Sequence, residues 1–388
     1  MSRAADISTR PSRALRTAFG FAAAACLALT ACTAAPPIAA PSATPFTAPP
    51  TVTPSPSPTL PPAATAFLGL LADRDAAQRS GDASRMNALI APDAPQDLRD
   101  RELAVADVIS KQHMAAPERR FQALAAAGQL AELDVTELDD QGRIRPIRYF
   151  AATVEGRLLL TEPAAASLGQ VTVAPSEHFD VRAYPLDERQ AAAASGLLED
   201  ALTSLVARLG EPYRPAARIV VHCDPVAGRG VAPLASAYVT SPEIHFLTSS
   251  SMIVSTGAGS DWSRIVVTHE LSHVLLFMRG DGPFVLVEGI PLWLTDDRRQ
   301  AQLDRIVAAG GVWDLDHLVR GPADANEFFA AYAQASSFVR FVAATYGPRA
   351  PIAVWELGTS APFTETFARG AGVPLADAYA AWRASLAR

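Results

Sequence analysis

The sequence is short of lysine, cysteine and long apolar runs. Lys111 is the single lysine of 388 residues, so almost all of the 33 basic side chains are arginine. They are outnumbered by 40 acidic residues, for a formal charge of −7 at pH 7, and nowhere do they gather into a basic stripe. This argues against a nucleic-acid partner, whose phosphates call for such a stripe. The cysteines are Cys26, Cys32 and Cys223, with no CxxC pair, which leaves no disulfide framework. Cys223 stands in an apolar run and reads as a small buried side chain. The longest apolar run, "AFGFAAAACLALTA", has 14 residues. That is short of the ~20 needed to cross a bilayer as a helix, and no other stretch comes closer.

What is present is a chain 49% hydrophobic, enough for two ordinary domains with cores of their own. Its first segment reads as an address. Arg3, Arg10, Arg13 and Arg16 precede the apolar run, which has the order of a secretory signal. The run ends in Leu29-Thr30-Ala31-Cys32, which resembles the lipobox of bacterial lipoprotein signals. The resemblance implies removal of residues 1–31, acylation of Cys32, and a lipid anchor on the extracytoplasmic face of a bacterial membrane. A plain signal peptide cut nearby, with secretion, is the alternative. There is no twin-arginine pair, so general secretion is the simpler route. Without residues 1–31 the formal charge becomes −10. Residues 32–64 form a Pro/Thr/Ser-rich linker, with 11 prolines between Pro36 and Pro62. Such a segment builds no core, and at about 3.1 Å per residue it can hold a domain up to roughly 100 Å from the anchor.

Two folded parts follow. In residues 65–165, apolar positions up to about Ala91 repeat with helical spacing around an "SGD" break at 80–82, and 99–127 reads as a second helical stretch interrupted at Pro117. "LAELDVTEL", "RIRPIRYFAATV" and "RLLLTEP" read as strands, the last two joined into a hairpin by Glu155-Gly156. Helices followed by antiparallel strands define an α+β unit. The layout resembles the nuclear transport factor 2-like cone. It shows no acid–base constellation, and His113 stands alone, so a non-catalytic module is expected. In residues 167–388, strands ("QVTVAPSEHFDVRAYP"), a long helix ("DERQAAAASGLLEDALTSLVARLG") and three short strands ("RIVVHCD", "ASAYVT", "EIHFLTS") precede a helix that Ser260 or Asp261 is expected to cap. That helix runs to about Met278, with Gly280 just beyond it, and mostly helical sequence follows.

That helix carries His269-Glu270-Leu271-Ser272-His273. Histidines four apart stand on one helical face, where neutral imidazoles can grip a zinc ion at about 2.0–2.1 Å. Glu270 between them can take a proton from water that the metal activates. A third ligand is required. Glu288 follows in "PFVLVEGIPLWLT", an acid in an otherwise apolar run, where an unpaired charge would be costly. The spacing places it on a loop folded back over the histidines, with a helix starting near Pro291, because a first-turn proline loses no hydrogen bond.

Here the chain resembles the gluzincin or peptidase MA-like zinc metallopeptidases, over about 167–388. The likeness lies in His-Glu-x-x-His, the downstream Glu-Gly-Ile with Trp293 behind it, "AYAQASSFVRFVAATYG" and the closing "FARGAGVPLADAYAAWRASL". It implies an α+β zincin-like domain in which His269, His273 and Glu288 bind zinc and Glu270 is the general base. Tyr332 is the nominee for a donor to the transition state, and a packed core tyrosine is the other reading of it. It further implies that the edge strand before the zinc helix, here "EIHFLTS", pairs with an extended peptide or protein substrate. Many family members carry an acid four residues past the glutamate ligand; this chain has Leu292 there, leaving Asp296 and Asp297 as candidates to orient a ligand histidine. His178, His222, His245 and His317 read as structural. The expected activity is hydrolysis of peptide bonds by a membrane-tethered monomer. Two alternatives stay open: an inactive surface lipoprotein acting as a binding module, and a zinc hydrolase of non-peptide amides such as cell-wall links.

Overall fold

The computed structural model describes residues 60–387 apart from 128–129, 139–141, 227–236, 241 and 250. The signal segment, Cys32 and nearly all of the proline-rich linker lie outside the described residues. Helix α1 (Pro62–Ser80) begins on Pro62, so the last residues assigned to the linker are helical. Gly81 ends it in a left-handed conformation, and Asp82 starts α2 (Ala83–Ala88) by accepting from the Arg85 N–H at 2.9 Å. The "SGD" break is thus one helix stop followed by one helix start. After α3 (Gln96–Lys111) the chain departs from expectation: 119–127, read as the end of a helix, is strand β1 (Arg119–Ala127). Its alanines favour a helix in isolation. Antiparallel pairing with β2 (Leu130–Leu138) overrides that preference, as tertiary context commonly does. β3 (Ile144–Val154) and β4 (Arg157–Thr161) complete a four-stranded antiparallel sheet in chain order. Phe67, Leu71, Met86, Leu133, Val135 and Ile147 pack between the helices and this sheet.

A second sheet follows. β5 (Thr172–Pro175) and β6 (Phe179–Ala183) are antiparallel; α4 (Glu188–Leu209) then leads to β7 (Ile219–Asp224), parallel to β6. β9 (Glu243–Leu247) lies parallel to β7, and β8 (Ala237–Thr240) runs antiparallel outside it, for the order β5-β6-β7-β9-β8. "EIHFLTS" is therefore an inner strand, and among the described residues the edge beside it is β8. Alternate residues of β6, β7, β8 and β9 are buried on one face and join α4 and α5 (Ser260–Phe277) in the main core.

The rest is helical: α6 (Phe284–Leu294), α7 (Gln300–Ala308), α8 (Leu315–Arg320), α9 (Phe328–Tyr346), α10 (Ala350–Leu357), α11 (Phe363–Ala371) and α12 (Leu375–Leu386). The fold is α+β, with helices and sheets first and a largely helical C-terminal region that contains His269 and His273. No helix among the described residues is long and apolar enough to cross a membrane.

The first unit is bolted to the second. The Met252 N–H donates to the Pro146 carbonyl at 2.9 Å, and the Gln112 amide donates to the Asn326 carbonyl at 2.6 Å. Arg148 of β3 donates to the wholly buried Asp187 at 2.9 Å. Arg143 and Arg145 lie over the Trp262 ring at 5.2 and 5.8 Å. This docking explains the start of α5, which Gly259 caps without any side-chain hydrogen bond, in place of the expected Ser260 or Asp261. Gly259 sits at φ +90°, and a Cβ there would stand 2.6 Å from Pro146 Cδ. Only glycine satisfies both the backbone angle and the approach of β3.

Candidate metal centre

Residues four apart on α5 put the His269 and His273 rings one above the other, with centroids 4.8 Å apart and planes at 81°. Their Nε2 atoms are 3.1 Å apart. Both residues are buried, as is Glu270 between them, and Glu288 is nearly so. Glu288 reaches them from α6, a correction to the expected loop: Glu288 and Pro291 both lie inside this helix. A proline at that place donates no bond to the preceding turn. Contacts from α9 hold the region together instead. The Arg340 Nη2–H donates to the Leu292 carbonyl at 2.9 Å, and the Ser336 hydroxyl donates to the Asp297 carbonyl at 2.8 Å. Gly289 shows how closely the two helices meet: a Cβ on it would lie 2.5 Å from Val339 Cγ2 and 2.7 Å from the Ala335 carbonyl oxygen. The glycine after the glutamate therefore lets α6 settle onto α9 with Glu288 aimed at α5.

Glu288 Oε2 stands 3.4 Å from His269 Nε2 and 3.6 Å from His273 Nε2, and this buried oxygen has no hydrogen-bond partner. Leaving such an atom unpaired is costly unless something else meets it. Separations of 3.1, 3.4 and 3.6 Å put the three donors on a circle of radius about 2 Å, the length of a zinc–nitrogen or zinc–oxygen bond. Two imidazoles and one carboxylate are also a donor set that zinc favours. The residues present fit a metal ion, and the triad is compatible with a zincin-like site.

The charges are coupled. Burial works to raise the Glu288 pKa, but His273 and His269 outweigh it and bring the carboxyl from 4.5 down to about 2. Burial works to lower the His273 pKa, and Glu288 and Glu270 reverse that, so the ring holds its proton more tightly than usual. For Glu270 burial prevails and the pKa is raised, although the two imidazoles oppose it. Tyr332, on α9, is buried against Phe328 at 4.3 Å, with the Arg299 guanidinium 5.1 Å from its ring centroid. Burial first, and the adjacent Glu288 carboxylate second, push its phenol well above the usual range. It thus stays protonated as a donor towards Glu288. Val108 of the first unit shares a cluster with Tyr332, Leu292, Phe328 and Phe329, so that unit forms part of the wall behind the site.

The other sequence candidates are distributed differently. Asp296 faces solvent and pairs with Arg340 at 2.7 Å and Arg298 at 3.1 Å. Asp297 is buried against Arg299 at 3.2 Å and Arg143 at 3.6 Å. His178 bonds Glu199, and His317 bonds Glu327 while stacking on Trp313. Cys223 is buried in the core. His222 and His245, read as structural, are drawn together with Asp224 on the second sheet. The signal for this was present as His-x-Asp and Glu-x-His on two strands, but strand adjacency was not.

No protein-family model matches this chain, and no curated protein resembles it closely enough to count as a relative. The geometry of the site carries the functional reading.

Proposed function

We propose that this chain is a zinc-dependent metallopeptidase of the gluzincin type, tethered outside a bacterial membrane by a lipid on Cys32 and the proline-rich linker. One observation carries the catalytic part: His269, His273 and an orphaned Glu288 oxygen spaced as the donors of one small cation. Bound there, zinc would act as a Lewis acid, polarising a carbonyl and making water nucleophilic near neutral pH. Glu270 is the proton acceptor. It is buried beside both rings with a raised pKa, which suits a base that takes a proton from attacking water and returns it to the departing amine. Tyr332 acts behind Glu288, holding the carboxylate in place. β8 is an edge strand among the described residues and packs on α5, so its backbone is available to an extended peptide.

The same reading assigns the second unit to the zincin-like folds, on the strength of a mixed sheet with an antiparallel edge strand ahead of the His-Glu-x-x-His helix. The first unit, three helices before a four-stranded antiparallel sheet, fits the nuclear transport factor 2-like layout. The test is a digest of a proteome-derived peptide library by the zinc-loaded chain beside Glu270→Gln. Cleavage by the wild type, with retained zinc and lost cleavage in the variant, is expected. A fully active variant would overturn the assigned base. Inertness of both towards peptides, with hydrolysis of cell-wall amides, would move the substrate class.

A further inference from the structure

The five-stranded sheet buries one face under α4 and α5, and its other face carries an unexpected row of side chains. Strand periodicity sends His222 and Asp224 of β7, and Glu243 and His245 of β9, to that second face. His222 and His245 are register partners on parallel neighbours. Their rings stand stacked, with centroids 4.4 Å apart and planes within 3°. Tyr238 of β8, opposite His245, stacks on the far side of that ring at 4.5 Å. Carboxylates close both edges of the pair. Asp224 Oδ2 is 2.9 Å from His245 Nδ1, and Glu243 Oε2 is 3.2 Å from His222 Nε2 and 3.8 Å from His245 Nε2. One donor atom from each of His222, Asp224 and His245 lies within 4.8 Å of the other two.

We propose that His222, Asp224 and His245 form a second site for a divalent transition-metal ion, on the outer face of the sheet and separate from the α5–α6 triad. Two imidazoles with a carboxylate are the donors of a borderline ion such as zinc; calcium and magnesium prefer oxygen alone. The ring planes are parallel, so an ion held by both rings would tilt one towards the other. These side chains are 21%, 24% and 15% exposed for His222, Asp224 and His245, so they are reachable from solvent. An ion here would clamp β7 to β9, the strand that carries the β8 edge.

The test is zinc titration of the metal-stripped full-length chain by calorimetry, with far-UV circular dichroism to show that each variant is folded. The wild type should take up about two zinc ions, and H222A/H245A and H269A/H273A about one each. The ion left in H269A/H273A should move the NMR resonances of the His222 and His245 rings. His245→Asn alone, a milder change, should weaken that ion more than about tenfold. Zinc uptake lost in H222A/H245A but kept in H269A/H273A would support this site and remove the other. A metal-free H269A/H273A, or an H222A/H245A that keeps both ions, would overturn the proposal.

Discussion

Glu288→Gln removes one negative charge from the triad and almost no volume. The carboxyl is held at about 2 against an ordinary 4.5, which corresponds to roughly 3 kcal/mol of preference for the charged form. The two imidazoles supply that preference against the cost of burial. A dication between the same rings concentrates at least as much positive charge at the oxygen as the rings do. Losing the carboxylate should therefore weaken zinc binding by about 3 kcal/mol, roughly two orders of magnitude in Kd. Competition for zinc between the metal-stripped protein and a chromophoric chelator measures this directly, preferably in the H222A/H245A background so that one ion is counted. The pH dependence has a definite sign. Zinc must displace protons from the rings, and His273 holds its proton to a higher pH than usual because of Glu288 and Glu270. Affinity in the wild type should thus fall off at a higher pH than in Glu288→Gln. A variant with unaltered fold and a Kd within about threefold of wild type would show that Glu288 is not a ligand.

Gly289→Ala places a methyl 2.5 Å from Val339 Cγ2; overpacking of this kind costs about 1–3 kcal/mol, so both Tm and zinc affinity should fall, and an unchanged melt would refute the close α6–α9 contact. Tyr332→Phe removes the donor behind Glu288 and should lower zinc affinity about tenfold while sparing kcat at saturating zinc; a kcat lost at saturating zinc would make Tyr332 a transition-state donor instead. Asp187, where β3 docks, is raised from 3.8 to about 6 by burial, which Arg148 and Thr248 only partly oppose. The folded state therefore binds that proton more tightly than the unfolded chain. The associated stability, roughly 3 kcal/mol, is complete below pH ~4 and lost as pH rises to ~6. Urea unfolding of Asp187→Asn should lack that decline, and equal slopes in the two proteins would exclude Asp187 as its source.

Much of this centre could be read along the chain. The facing of His269 and His273 follows from helical periodicity, which is a local property. Glu288 stood out because a charge in an apolar run needs a partner. Its element is not legible for an equally local reason: Pro291 looks like a helix start, and only the close packing of Gly289 on Ala335 shows the proline held inside α6. The alanine-rich β1 reads as helix because propensity is intrinsic to the residue, whereas its partner β2 is supplied by the fold. Local residue order is enough for the donors, for the helix that holds two of them and for the places where helices stop. The approach of α6 to α5, the strand at the edge beside β9, the glycine cap under Pro146 and the meeting of His222 with His245 come from long-range packing. The difference is one of range: dihedral preference and side-chain periodicity act over a few residues, while strand order and helix crossing are set by how whole apolar faces find one another.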